Sequence, residues 1–322
     1  MAPGLAQQNV IAVVWDFDKT LTPQYMQEPL FRHYQVDPAE FWAEVNALPA
    51  YYASQGLAHI PNDSVYLNHI LTYVRHGVFA GLNNALLRRL GGQIDFYAGL
   101  PDFFDQLRAS IAEHPDYSRA AITLEHYVVS TGLRELIVGS DIYDHVDGVW
   151  GCEFAEHVAP PGFLHDGAQV EMADTRVISD VVYVIDNTSK TRALFELSKG
   201  SNIRADIDVN AKVDQQDRRV PFSNMVCVAD GPSDVPIFSV VNQFGGSTFA
   251  VYKPGSSEEF RRANLLQQQN RVDSIGPADY TPGSPASLWI ENAVHEVAER
   301  IVHDRELELG KRVGPPPRHI PN

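Results

Sequence analysis

Two carboxylates one residue apart, Asp16 and Asp18, close the apolar run "NVIAVVWDF" and lead into Lys19 and Thr20. Three later apolar runs end in polar residues of a similar kind. Ser130, Thr131 and Gly132 follow "HYVV". Ser189 and Lys190 open "SKTRALFELSKG" after "DVVYVI". Asp230 and Asp234 bracket the turn Gly231-Pro232-Ser233 after "MVCVA". Taken singly, most of these have ordinary readings as turn residues or helix caps. Lys190 does not. A lysine in the first turn of a helix meets the positive end of the helix dipole, and a local conflict of that kind marks a position held for another reason. The joint occurrence is what carries weight: two acids, a hydroxyl, a cation and two more acids, in order, each at a strand end or helix start.

That set suits phosphoryl transfer assisted by Mg²⁺. Magnesium takes oxygen ligands and keeps several waters, and two carboxylates from different strand ends plus a backbone carbonyl would hold it. A carboxylate beside the metal can attack phosphorus, forming an acyl phosphate that water later cleaves. A second carboxyl must protonate the leaving oxygen and then activate that water. Asp16 and Asp18, at i and i+2, lie on one side of an extended chain and meet both needs. Ser130, Thr131 and Gly132 offer a hydroxyl and backbone N–H groups to phosphate oxygens, and Lys190 balances charge developing in the transition state.

The elements that must position these residues alternate along the chain. The first apolar run has the length and continuity of a parallel strand covered on both faces. From 23 to 97 the texture changes to helically spaced aromatic and aliphatic residues, as in "PAEFWAEVNAL" and "SVYLNHILTYVRHGVF", without convincing strands. This segment reads as an inserted all-helical cap, leaving 1–22 and 98–322 as the catalytic core. Strands at "HYVVS", "DVVYVI", "MVCVAD" and "TFAVY" then alternate with helices. The expected fold is α/β, a Rossmann-like parallel sheet with helices on both faces. The polar stretch 204–220 reads as an exposed excursion, and the proline-rich tail "GKRVGPPPRHIPN" as frayed.

Composition bounds the partners. Of 322 residues, 44% are hydrophobic and 20% charged, enough to bury a sizeable core, and the net charge is −16. Such a charge disfavours nucleic acid and anionic membrane surfaces, and an anionic substrate then needs a local cation. The two cysteines, Cys152 and Cys227, show no metal-ligand spacing, which favours a reducing cytoplasm. No signal peptide or membrane span is evident. His114, His126, His145, His157 and His165 form no ligand constellation and read as surface residues.

Together these motifs resemble the haloacid-dehalogenase (HAD) superfamily of hydrolases, in its phosphoserine-phosphatase-like branch. "VVWDFDKTLT" is similar to the family's D-x-D-x-T motif, "YVVSTGLRELI" to its second, "SKTRALFELSKG" to its lysine motif and "VCVADGPSDVPIF" to its acidic fourth. The resemblance covers the core and places 23–97 at the usual position of a helical cap. It implies that Asp16 is the nucleophile and Asp18 the general acid/base, whose carbonyl also ligates the metal. It further implies that Asp230 binds Mg²⁺, Asp234 supports the metal or its waters, Ser130 holds phosphate and Lys190 stabilises the transition state. The sequence departs from the pattern at Ala229, where many members have glycine or an acid. The implied activity is hydrolysis of a small phosphorylated metabolite. The alternatives are phosphotransfer through the same intermediate and a non-catalytic binding role. Halide displacement is disfavoured, because it would not need Asp18, Asp230 and Asp234. In the cap, Tyr25, Arg32, Tyr51, Tyr52 and His59 are candidates to face substrate, although aromatic residues at helical spacing are more often core.

Overall fold

The computed structural model describes residues 8–62, 64–159, 161–164 and 176–312. The opening apolar run forms β1 (Val10–Trp15), buried at every position. Alternate side chains of β1 feed two separate cores: Ile11, Val13 and Trp15 on one face, Val10, Ala12 and Val14 on the other. That two-sided burial is why the strand reads as continuous rather than alternating.

Four helices follow without an intervening strand: α1 (Glu28–Tyr34), α2 (Pro38–Ala53), α3 (Val65–Arg75) and α4 (Asn84–Gly91). Asp37 caps α2 by accepting from Ala39 N, with Pro38 in the first turn, where a missing N–H costs nothing. Then come α5 (Asp102–Ala112), α6 (Pro115–Arg119), β2 (Thr123–Leu133) and α7 (Arg134–Val138). The remainder is β3 (Gly148–Ala155), β4 (Asp180–Tyr183), α8 (Lys190–Lys199), β5 (Met225–Ala229), α9 (Val235–Gln243), β6 (Ser247–Tyr252), α10 (Ser257–Gln268), β7 (Ser274–Pro277) and α11 (Pro285–Arg312).

The seven strands form one sheet in the order β4-β3-β2-β1-β5-β6-β7. All neighbouring pairs are parallel except β3 with β4. Chain order reverses at β1, which lies between β2 and β5, and such a switch point opens a crevice at the carboxyl ends of the strands. Helices α5, α7 and α11 pack on one face, and α8, α9 and α10 on the other.

Two corrections to the sequence reading follow. "DVVYVI" was expected as a parallel strand, yet β4 is a short antiparallel edge strand. The parallel strand beside β2 is instead β3, "GVWGCEFA", whose two glycines weaken any local strand signal. β7 also escaped notice, since four residues that include glycine and proline carry little β propensity. The stretch 204–220 is mostly exposed, as expected. The tail from 313 and His165 lie outside the described residues. Among the described residues no helix is long and apolar enough to cross a membrane.

The helical segment is fastened to the core rather than standing apart from it. Its buried side chains, including Leu30, Phe31 and Leu87, belong to the same cluster as Trp15 and Phe103. At the contact of α4 with α7, a Cβ on Gly139 would lie 1.8 Å from Arg88 O, so only glycine permits this approach. Arg88 also pairs with the buried Glu135.

Candidate active site

The loop leaving β1 coils tightly, with Thr20 N, Leu21 N and Thr22 N all directed at Phe17 O. Lys19 sits there at φ 61°, a left-handed conformation unusual for a side chain of its size. The coil turns Thr20 back onto the strand end, where its hydroxyl donates to Asp16 Oδ2 at 3.0 Å. The other oxygen, Asp16 Oδ1, accepts from Lys190 Nζ at 2.6 Å, and the same ammonium donates to Asp234 Oδ1 at 2.6 Å. Ser233 Oγ donates to Asp234 Oδ2 at 2.8 Å. Asp16 is thus oriented through both oxygens, by a hydroxyl from its own loop and by an ammonium from a distant part of the chain.

This network is buried: Lys190 and Asp234 expose none of their surface. Burial alone would pull the Lys190 pKa down, but Asp16 and Asp234 outweigh it and hold the ammonium above the usual lysine range. Burial pushes the Asp234 pKa up against the pull of Lys190. Asp230 is likewise raised, by burial and by Asp16 and Asp234. One lysine therefore faces three acids.

Carboxylate oxygens of Asp16, Asp230 and Asp234 lie within 4.8 Å of one another. An all-oxygen, net-negative donor set of this kind suits Mg²⁺, and the raised acids are what a divalent cation would relieve. Asp18 stands apart. Its side chain, expected as the general acid/base while its backbone carbonyl faces the metal, is not in this carboxylate group; Oδ1 accepts from Met26 N at 2.7 Å. The reason is local. Asp18 lies three residues beyond the end of β1, where the chain has already coiled, so the i, i+2 rule for strands no longer applies. Burial first, and then the Asp16 charge, push Asp18 up to about 7.

On the next strand, Ser130 is buried and its Oγ accepts from Gly132 N at 2.9 Å. Met26 packs against Gly132, where a Cβ would fall 2.2 Å from Met26 Cε and would make that thioether move. Thr131 O accepts from Tyr66 OH at 2.7 Å, a contact from α3. Tyr280 OH, from the segment before α11, donates to Thr20 O at 2.7 Å.

Sequence reasoning passed over Met26, Tyr66, Ser233 and Tyr280. Only Ser233, inside the fourth motif, carried any local signal. Of the cap candidates, Tyr25 and Arg32 line a small cavity with Thr22. Tyr51 and Tyr52 meet edge to face late in α2, and His59 is exposed.

The histidines need one correction. His157 is exposed, but His126 is wholly buried, accepting from Trp15 Nε1 at 3.1 Å and directing Nε2 at Phe104 O. Burial, reinforced by Arg108, lowers its pKa to about 3. It faces inward because strand alternation puts it on the sheet face of Val13, its partner across the ladder, and Trp15.

No protein-family model matches the chain. It is 37% identical over 288 residues to a protein of Borreliella burgdorferi described as uncharacterized, covering 88% of this chain and 96% of that one. Among solved structures it is similar to a phospho-aspartyl intermediate analogue of phosphoserine phosphatase, at 13% identity and TM-score 0.47, over 83% of this chain and 93% of that one. A HAD family hydrolase from Salmonella enterica serovar Typhi gives 13% and 0.48, over 84% and 68%. A probable phosphoserine phosphatase from Vibrio cholerae gives 13% and 0.47, over 92% and 68%.

Proposed function

This chain belongs to one family with the Borreliella burgdorferi protein; from that premise and the site geometry we propose that it is a HAD-type, Mg²⁺-dependent phosphatase of small phosphomonoesters. The observation that carries the reading is Asp16 held between Thr20 and Lys190, with Asp230 and Asp234 beside it.

Asp16 Oδ attacks phosphorus, and the ester oxygen departs as the phosphoryl group moves to the carboxylate. Asp18, with a pKa of about 7, can carry a proton at neutral pH and give it to that oxygen. The same group, now ionised, takes a proton from the water that cleaves the phosphoaspartate. Ser130 Oγ already accepts from Gly132 N, so its own proton is available to a phosphate oxygen. Lys190 holds the attacking carboxylate in place and offsets charge on the transferring group. Mg²⁺, held by Asp16 and Asp230 with Asp234 behind them, would neutralise phosphate oxygens that the acidic site otherwise repels. The helical segment 23–97 acts as the cap that excludes water and chooses the leaving group.

The test separates the two acids of the β1 loop. With p-nitrophenyl phosphate the first step needs little proton donation, so Asp18→Asn should release a burst of nitrophenol, about one equivalent per site, and then turn over slowly. Asp16→Asn should give no burst. Bursting by Asp16→Asn and not by Asp18→Asn would reverse the roles, and Mg²⁺ affinity measured alongside identifies a variant that has simply lost its metal site.

A further inference from the structure

A continuous run of side chains bridges the loops at the ends of β1 and β2. Lys19 Nζ lies 4.3 Å from the centre of the Tyr25 ring and donates to Tyr25 OH at 2.9 Å. The Tyr25 and Trp42 rings are 5.3 Å apart, and those of Trp42 and Tyr66 are 5.8 Å apart. Tyr66 OH closes the run on Thr131 O. The two ends of this run are therefore the residue after Asp18 and the residue after Ser130, so the rings link the two segments that carry the reacting groups.

Some aromatic residues in the helical segment are plain core, as Phe31 and Phe41 are, with no exposed surface. Tyr25 is not: it is 41% exposed, and Trp42 is half-buried. Trp42 Nε1 is buried without a hydrogen-bond partner among the described residues. Indole N–H is a donor only, and a buried donor without an acceptor costs free energy that natural sites seldom waste. Ring contacts at these separations leave no gap between the rings, so they make a wall rather than a cage around a cation. The face nearest β1 already has the Lys19 ammonium over it, which disfavours a second cation there.

We infer that Tyr25 and Trp42 form the leaving-group subsite, and that the phosphomonoester it takes carries a planar aromatic group stacked on this wall. The inference rests on the phosphatase reading for its location, since the wall matters to catalysis only if Asp16 is the reacting group. Tyr66 is a positioning residue, fixing the wall to the phosphate-binding loop through Thr131. Stacking on aromatic side chains adds to simple burial, so a flat ring should be preferred over an aliphatic group of the same bulk.

Benzylphosphonate and cyclohexylmethylphosphonate carry similar bulk and no hydrolysable ester, and their binding can be compared by calorimetry in the presence of Mg²⁺. The wild-type protein should bind the benzyl compound about tenfold more tightly. In Trp42→Leu the ratio should fall to about twofold or less. Tyr25→Leu, at an exposed position, should show the same fall and serves if the Trp42 variant does not fold. Equal binding of the two compounds by the wild type, binding of neither, or a ratio unchanged in both variants overturns the subsite. Release of nitrophenol from p-nitrophenyl phosphate by the same wild-type preparation shows separately whether the phosphatase reading stands.

Discussion

The two sides of the site are built differently. On the phosphate side, Asp16, Lys190 and Asp234 form a buried network in which each charge has a partner within 2.6 Å. On the helical side, Tyr25 and Arg32 are exposed and Trp42 is half-buried. On the proposed phosphatase reading, phosphoryl transfer is the same reaction for every substrate, so its groups can be fixed in advance and shielded from water. The leaving group arrives from solvent and must be met by surfaces that solvent can reach. The cost of error differs accordingly. A buried charge without its partner is expensive, whereas an exposed side chain can be replaced with little effect on stability.

The largest effect should come from removing the metal. Chelation should lower phosphate release from p-nitrophenyl phosphate by roughly a hundredfold or more, since the single ammonium of Lys190 is already shared by Asp16 and Asp234 and cannot also neutralise the phosphate oxygens. Full activity in chelator would mean that Lys190 alone offsets the three acids. Lys190→Met comes next, because it strands Asp16 and Asp234 together in the interior. Urea unfolding should show a loss of about 3–5 kcal/mol, with part of it recovered on adding Mg²⁺. A loss below about 1 kcal/mol would show that solvent reaches the network and that the contrast between the two sides is weaker than drawn.

His126 sharpens the comparison from beneath the site, where it is fully buried and hydrogen-bonded to Trp15 of β1. Its folded pKa of about 3 lies below the ordinary histidine value, so between those limits the unfolded chain binds the extra proton. Stability should therefore be fully present above about pH 6.5 and fall by roughly 1.4 kcal/mol for each pH unit below it, on account of this one group. Comparing unfolding free energies of wild type and His126→Gln from pH 4 to 7 isolates that slope; parallel curves would show that His126 charges within the fold.

The smallest effect belongs to Arg32→Ala. Stability should change by less than about 0.5 kcal/mol, while relative kcat/KM among a panel of phosphomonoesters should shift by roughly two- to tenfold. An unchanged ranking would remove Arg32 from the specificity surface, and a large loss of stability would place it with the buried side instead.

Much of this was legible in the residues themselves. A strand buried on both faces shows as an unbroken apolar run, so β1 could be placed from "NVIAVVW" alone. The acids after β1 and β5, the serine near the end of β2 and the lysine opening α8 stood out because polar groups closing successive apolar runs break the local pattern in the same way. The helical texture of 23–97 was visible for a related reason: apolar spacing reports the local conformation. Strand β3 was not visible, because its glycines give no such report.

Tertiary structure alone decided which of these groups meet. Lys190 reaches Asp16 across 174 residues of chain, and that contact depends on the sheet order that sets β1 between β2 and β5. Asp18 lies two residues from Asp16, yet its carboxylate turns to Met26 N because the loop coils beyond the strand end. His126 shares its residue type with exposed His157 and is buried only because β2 pairs with β1 and sets it against Trp15 and Phe104. Periodicity and residue type are local properties of the chain. Partner, burial and the resulting pKa are set by elements far apart in sequence, and they exist only once those elements have packed.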